Sequence, residues 1–231
     1  MKVNISGSAT FNILEVDLDK DDVIIAQPRS MLSMTTGLSV TAYMGGIDGG
    51  IRLFRSAKQM LAGENFASAK YVSSRDGEKL VLAPDVIGPV FPLQLKSGVD
   101  VFITRGAYLA HFPVVKVEAE FAGIKGIISK KGMYLLKASG DGEVFLAAHG
   151  EVRTKELAEG ERIVIDNDFV IAFEQTVKYE LVKAAKGIKD SVLSGEGFVN
   201  RYTGPGKVYF QTRGRARTGM MSSLISNLPA V

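Results

Sequence analysis

Cysteine is absent from the 231-residue sequence. That removes disulfides, thiolate metal sites and cysteine nucleophiles together, and a reducing, cytoplasmic interior is the expected home. Histidine is almost absent, with only His111 and His149. An imidazole-based metal centre would have to use both and recruit a carboxylate. No apolar run approaches the ~20 residues needed to span a bilayer. The start, Met1 to Gly7, has neither the apolar stretch of a signal peptide nor the Arg-rich amphipathic look of a transit peptide. One-sided charge is missing as well. A net charge of +3 excludes a protein that is an electrostatic glove for nucleic acid over its whole surface.

What is present is ordinary in bulk and unusual in pattern. Hydrophobic residues make up 46% and charged residues 23%, as in a soluble globular protein, and 25 glycines imply many turns between short strands. One pattern occurs three times, starting at Leu18, Leu95 and Leu157. Leu18, Leu95 and Leu157 match one another, as do Ile24, Val101 and Ile163, and again Leu32, Leu109 and Ile171. Between the first two landmarks lies a corner at Asp21, Gly98 and Gly160. Glycine suits a turn that needs positive φ, and aspartate is among the next most tolerant residues there.

Further landmarks follow in the same order. Gly50-Ile51-Arg52, Gly123-Ile124-Lys125 and Gly187-Ile188-Lys189 form one set. The stretches from Leu61 to Phe66, Ile128 to Met133 and Leu193 to Phe198 form the next. Gly77, Gly142 and Gly206 then each lead into an apolar strand-like run. A unit of ~60–75 residues is longer than solenoid or propeller periods and long enough to be a small β-sandwich. The expected architecture is all-β: tandem antiparallel β-sandwich repeats with pseudo-threefold repetition and few short helices. Residues 1–90, 91–153 and 154–231 would be three β modules of one compact unit, the last carrying the C-terminal tail.

The alternation from Thr10 to Leu18 predicts a half-buried strand, and Val23 to Ala26 another. The best helix candidate runs from Ile51 to Leu61, with Ile51, Phe54, Ala57, Met60 and Leu61 on one stripe and Arg52, Arg55 and Lys58 on a solvated side. Met220 to Leu228 forms a second amphipathic pattern ended by Pro229. Its polar face carries serines and no lysine, so docking on protein is expected rather than on a membrane.

The third copy carries a resemblance. The segment from Ser194 to Phe198, followed by Thr203-Gly204-Pro205-Gly206-Lys207-Val208-Tyr209-Phe210-Gln211-Thr212-Arg213, resembles the C-terminal signature of the altered-inheritance-of-mitochondria (mitochondrial biogenesis) family. Ala62 to Phe66 and Gly142 to Gly150 are similar to its earlier segments. The resemblance implies a fold like the trp RNA-binding attenuation protein: stacked sandwiches of the double-stranded β-helix type in a ring-like oligomer, with a trimer favoured. It implies no catalytic residues and no cofactor. Lys131 departs from the pattern, standing where the other copies have Glu64 and Glu196.

The residues offer little chemistry of their own. His111 and His149 have no histidine counterparts in the other copies, so satisfied or surface histidines are the expected reading over a metal site. Gly45 to Gly50 lacks the Gly-Lys-Ser/Thr continuation of a phosphate loop and reads as a tight hairpin. No Gly-x-Ser-x-Gly elbow is present. The one candidate contact set is basic: Arg201, Lys207, Arg213, Arg215 and Arg217, free of acidic neighbours and interleaved with Tyr202, Tyr209 and Phe210. Arginines with stacking aromatics suit single-stranded RNA, although strand alternation sends Tyr209 and Phe210 to opposite faces. An arginine-lined subunit interface is the competing reading. The leading expectation is a non-catalytic homo-oligomeric scaffold or interaction module. An RNA-binding ring is the first alternative, and a small-ligand or metal pocket protein the second.

Overall fold

In the computed structural model of the protein the described residues are 1–44, 47–48, 67–122, 133–183 and 198–214. The helix expected from Ile51 to Leu61, the tail from Met220 to Leu228 and most of the intermediate landmarks lie outside them. Strands dominate what is described, with one 3-10 turn at Arg105–Ala107 and no α-helix among the described residues. In chain order, β1 (Lys2–Ser6) precedes β2 (Ile13–Leu18), β3 (Val23–Ala26), β4 (Met31–Met34), β5 (Leu38–Met44), the two-residue β6 (Ile47–Asp48), β7 (Ala67–Ser73) and β8 (Glu78–Leu82). Then come β9 (Val90–Leu95), β10 (Val101–Thr104), β11 (Tyr108–His111), β12 (Val115–Ala122), β13 (Met133–Gly140) and β14 (Gly142–Ala147). The last six are β15 (Val152–Leu157), β16 (Arg162–Ile165), β17 (Val170–Glu174), β18 (Lys178–Lys183), β19 (Phe198–Thr203) and β20 (Gly206–Gln211).

One antiparallel pairing rule serves three sets of six strands. In the set from β9 to β14, the sixth strand lies between the first and the third, and the fifth lies between the second and the fourth. β15 to β20 obey the same rule. So do β2 to β8 once β6, a short return onto β5, is set aside. The sets are joined edge to edge, β3 to β11 and β10 to β17. The result is four sheets: β1-β2-β8-β4, β6-β5-β7-β3-β11-β14-β9, β12-β13-β10-β17-β20-β15 and β16-β19-β18.

Three apolar cores lie between successive sheets. The first gathers Leu14, Val16 and Leu18 from the first sheet with Ile24, Tyr71, Leu109 and Phe145 from the second. Leu95, Tyr108 and Leu146 meet Val101, Ile103 and Ile171 in the second core. The third joins Val170, Phe173 and Val208 to Ile165 and Tyr202. Layering explains composition. β11 and β17 sit in sheets covered on both faces, so Tyr108–His111 and Val170 to Phe173 are buried at every position. β2 lies in an outer sheet and alternates, with Leu14, Val16 and Leu18 buried. Each large apolar side chain so buried contributes roughly 1.5–3 kcal/mol before entropy is counted.

The corners behave as their residue types require. Asp21, Gly98 and Gly160 take φ of +67°, +85° and +74°. Leu18, Leu95 and Leu157 each close a strand with a buried side chain just before that corner. The Gly45 to Gly50 segment is described only at Ile47 and Asp48, which pair back onto Met44 and Tyr43.

Candidate functional site

The basic candidates separate in space. Arg201 lies on β19 between Val164 of β16 and Glu180 of β18. Its guanidinium donates through Nε and Nη2 to the Glu180 carboxylate, each at 2.8 Å. Lys207 is the second residue of β20, opposite Glu156, and its backbone N–H donates to the Glu174 carboxylate at 3.0 Å. Arg213 follows β20, where its N–H donates to the His149 carbonyl at 3.3 Å. Arg215 and Arg217 are outside the described residues.

The interleaved aromatics serve the cores instead of a stacking platform. Tyr202 is fully buried in the third core, its hydroxyl accepting from Asn200 Nδ2 at 3.1 Å, and burial raises its phenol pKa. Tyr209 packs against the second core and Phe210 against the third, on opposite faces of β20 as alternation requires. Among the described residues, then, no arginine–aromatic surface of the kind that stacks single-stranded RNA is assembled.

The two histidines have different surroundings. His111 is buried on β11, its Nδ1 2.7 Å from the Tyr108 hydroxyl, which also reaches the Ile25 carbonyl at 3.1 Å. Burial lowers the imidazole pKa to about 4, so it is neutral at pH 7. His149 sits in the β14–β15 connection, where its N–H donates to Gln211 Oε1 at 2.9 Å. No group of three His, Asp or Glu side chains placed to hold a metal occurs among the described residues.

One carboxylate escaped the sequence reading. Glu78 opens β8 with its side chain buried, accepting from the Thr35 hydroxyl, the Arg75 guanidinium and the Gly37 N–H at 2.9 Å. The Thr35 bond first and the Arg75 bond second hold its carboxyl below the usual range. These partners fix the β4–β5 turn, which makes Glu78 a structural anchor. Its repeat counterparts, Glu143 and Lys207, gave no signal of that role.

What remains open to a partner is a strand edge. Among the described residues β4 has β8 on one side and no strand on the other. Met31, Leu32 and Met34 are all exposed there, beside an open cleft of about 500 Å3 between residues 27–32 and 83–85. The sequence did hold a signal for this edge. Leu32 is the repeat position whose counterparts Leu109 and Ile171 are fully buried.

The family described as Mitochondrial biogenesis AIM24 matches residues 3–213. The chain belongs to that family. An uncharacterised protein of Streptococcus pyogenes serotype M6 is 26% identical over 216 residues, covering 92% of this chain and 86% of its own length. An X-ray crystal structure of a Streptococcus pyogenes protein matches with a TM-score of 0.76 at 24% identity, covering 98% of this chain and 99% of that one. At that identity the likeness bears on fold alone. No helix among the described residues of this AIM24-family chain is long and apolar enough to cross a membrane.

Proposed function

We propose that this AIM24-family protein is a non-catalytic homo-oligomer acting as a scaffold or interaction module in a reducing, cytoplasmic setting. The observation that carries the reading is the apolar edge strand β4. Met31, Leu32 and Met34 stand exposed where the corresponding Tyr108–His111 of β11 and residues 170–173 of β17 are buried. Exposed apolar edges are normally blunted by charge, covered or paired, and β4 carries no charged residue. Three polar groups with perturbed environments support the same reading, because they are committed to structure. Glu78 fixes a turn, and His111 and Tyr108 satisfy each other within a core.

The stacked sheets fit tandem β-sandwich modules of the trp RNA-binding attenuation protein-like type, divided at 1–90, 91–153 and 154–231. A trimer is the assembly that the family resemblance favours. Light scattering coupled to size exclusion tests the reading: a particle of one chain's mass, 24.9 kDa, at micromolar concentration would refute it. Titration with random-sequence single-stranded RNA at two salt concentrations tests the alternative. Binding that weakens steeply as salt rises would favour the RNA reading.

A further inference from the structure

We propose that the segment from Met220 to Leu228 docks on its own chain, laying its apolar residues over the exposed Phe11 and Ile87. The proposal stands apart from the oligomeric reading, because it uses neither β4 nor β16.

The surface comes first. Phe11 lies just before β2 and Ile87 just before β9, and at 66% and 63% they are the most exposed large apolar side chains among the described residues. A parallel bridge ties Phe11 to Gly88, so the two side chains flank one patch of backbone. Phe11, Gly88 and Gly150 hold the same repeat position, two residues before the first strand of each set. At Gly88 an added Cβ would collide with the Ala148 carbonyl, and at Gly150 with the Thr212 hydroxyl. The chain itself overruns the position twice. In the first set it carries a phenylalanine instead, open to solvent. Exposed apolar residues gathered at one place mark a docking surface.

The course of the chain names the occupant. Residues 215–231 start from this same surface. Gly214 lies against the Phe169 ring, and the Arg213 side chain lies over Gly150. The Gly150 N–H donates to the Ile87 carbonyl at 2.9 Å, which puts Ile87 one hydrogen bond beyond the point of departure. The linker from Arg215 to Gly219 spans up to ~18 Å when extended, enough to bring Met220 to Ile87. Charge favours the same route. Arg215 and Arg217 lie in the linker, and residues 215–231 hold no Asp or Glu. Asp168 precedes the Phe169 ring at the departure point, and Asp85 stands exposed two residues before Ile87. Beyond the linker, Met220, Met221, Leu224, Ile225 and Leu228 have the spacing of one helical stripe. Ser222, Ser223, Ser226 and Asn227 remain for the side that faces water.

The sequence has neither tryptophan nor cysteine, so single reporters can be placed in the full chain. Leu224→Trp should emit to the blue of free indole and resist quenching by acrylamide. Adding Ile87→Asp or Phe11→Asp sets a charge under the apolar stripe, and should return the emission to the red and restore quenching. Circular dichroism should stay β-rich, because both replaced side chains are exposed. Emission like that of free indole in Leu224→Trp alone overturns the proposal. Blue emission that neither aspartate moves overturns it too, since the segment then lies elsewhere. A crosslink decides whose surface is covered, and decides alone if an aspartate variant loses its β-rich signal. Ile87→Cys with Leu224→Cys, treated with a flexible bismaleimide, should give internally linked single chains on a denaturing gel. Linked pairs of chains, or no link at all, would overturn docking on the same chain.

Discussion

Nδ1 of His111 and the hydroxyl of Tyr108 lie 2.7 Å apart where the second strand set meets the first, and the same hydroxyl stands 3.1 Å from the Ile25 carbonyl. A neutral imidazole with its proton on Nδ1 donates to the phenol oxygen, which donates onward to the carbonyl. All three polar groups are thereby satisfied without charge in a low-dielectric joint.

That arrangement fixes a pH dependence. The folded imidazole titrates near 4 against about 6.5 when unfolded, so the unfolded chain takes up its proton first as pH falls. The His111 contribution is complete above pH ~6.5 and is lost between ~6.5 and ~4, by at most about 3 kcal/mol. His111→Phe, which installs the residue type of Phe173, should remove this part of the slope. Urea unfolding of both proteins at pH 7, 6, 5 and 4 checks it. Parallel slopes would show that His111 is not the group responsible.

Glu78 should shift stability in the acid range. Its carboxyl titrates below the usual value in the folded chain, so its contribution is present above the unfolded carboxylate pKa and lost as pH falls through the lowered one. Glu78→Gln is expected to lower Tm at pH 7, with a gap to wild type that narrows as pH falls towards ~3 and the Glu78 carboxylate takes up its proton. A Tm gap that persists undiminished at that pH would instead point to packing.

The aromatic cluster of the third core sets a steep local cost. Phe173 lies 5.4, 5.1 and 5.2 Å from the rings of Phe102, Tyr179 and Tyr202 and is fully buried. Phe173→Ala should cost about 3–5 kcal/mol, and Phe102→Ala less, because Phe102 is only partly buried. Denaturant titration gives both numbers, and a cost below about 1 kcal/mol for Phe173→Ala would mean the core closes over the gap.

The corners isolate backbone strain from packing. At Gly98 and Gly160 a Cβ would meet nothing within 4 Å, while φ is +85° and +74°. Gly98→Ala and Gly160→Ala should therefore each cost about 1–2 kcal/mol through the left-handed backbone alone. Equal costs at the two sites are expected, because the corners are repeat equivalents. Differential scanning calorimetry of the two variants measures this.

Strand positions and corners were legible because they depend on local physics. Alternation in Leu14, Val16 and Leu18 marks a strand with one buried face, and the Asp21, Gly98 and Gly160 corners need backbone freedom that few residue types supply. The opposite faces of Tyr209 and Phe210 follow from the same period of two. Sequence thus determined which residues form the repeated strands, and which side chains share a face.

Tertiary structure decided which strands are neighbours, because hydrogen-bond pairing between sets joins residues far apart in the chain and leaves no local period behind. β3 meets β11, and β10 meets β17, while among the described residues β4 and β16 are left as edges. That choice buries Leu109 and Ile171 and exposes Leu32, although the three are matched in the repeat. It also converts the apparent arginine–aromatic stretch into an ion pair of Arg201 with Glu180 and a core tyrosine at 202, since β19 lies between β16 and β18 with one face covered. Residue type sets what a position can bury, and only the layering of sheets sets whether a second face exists to bury it.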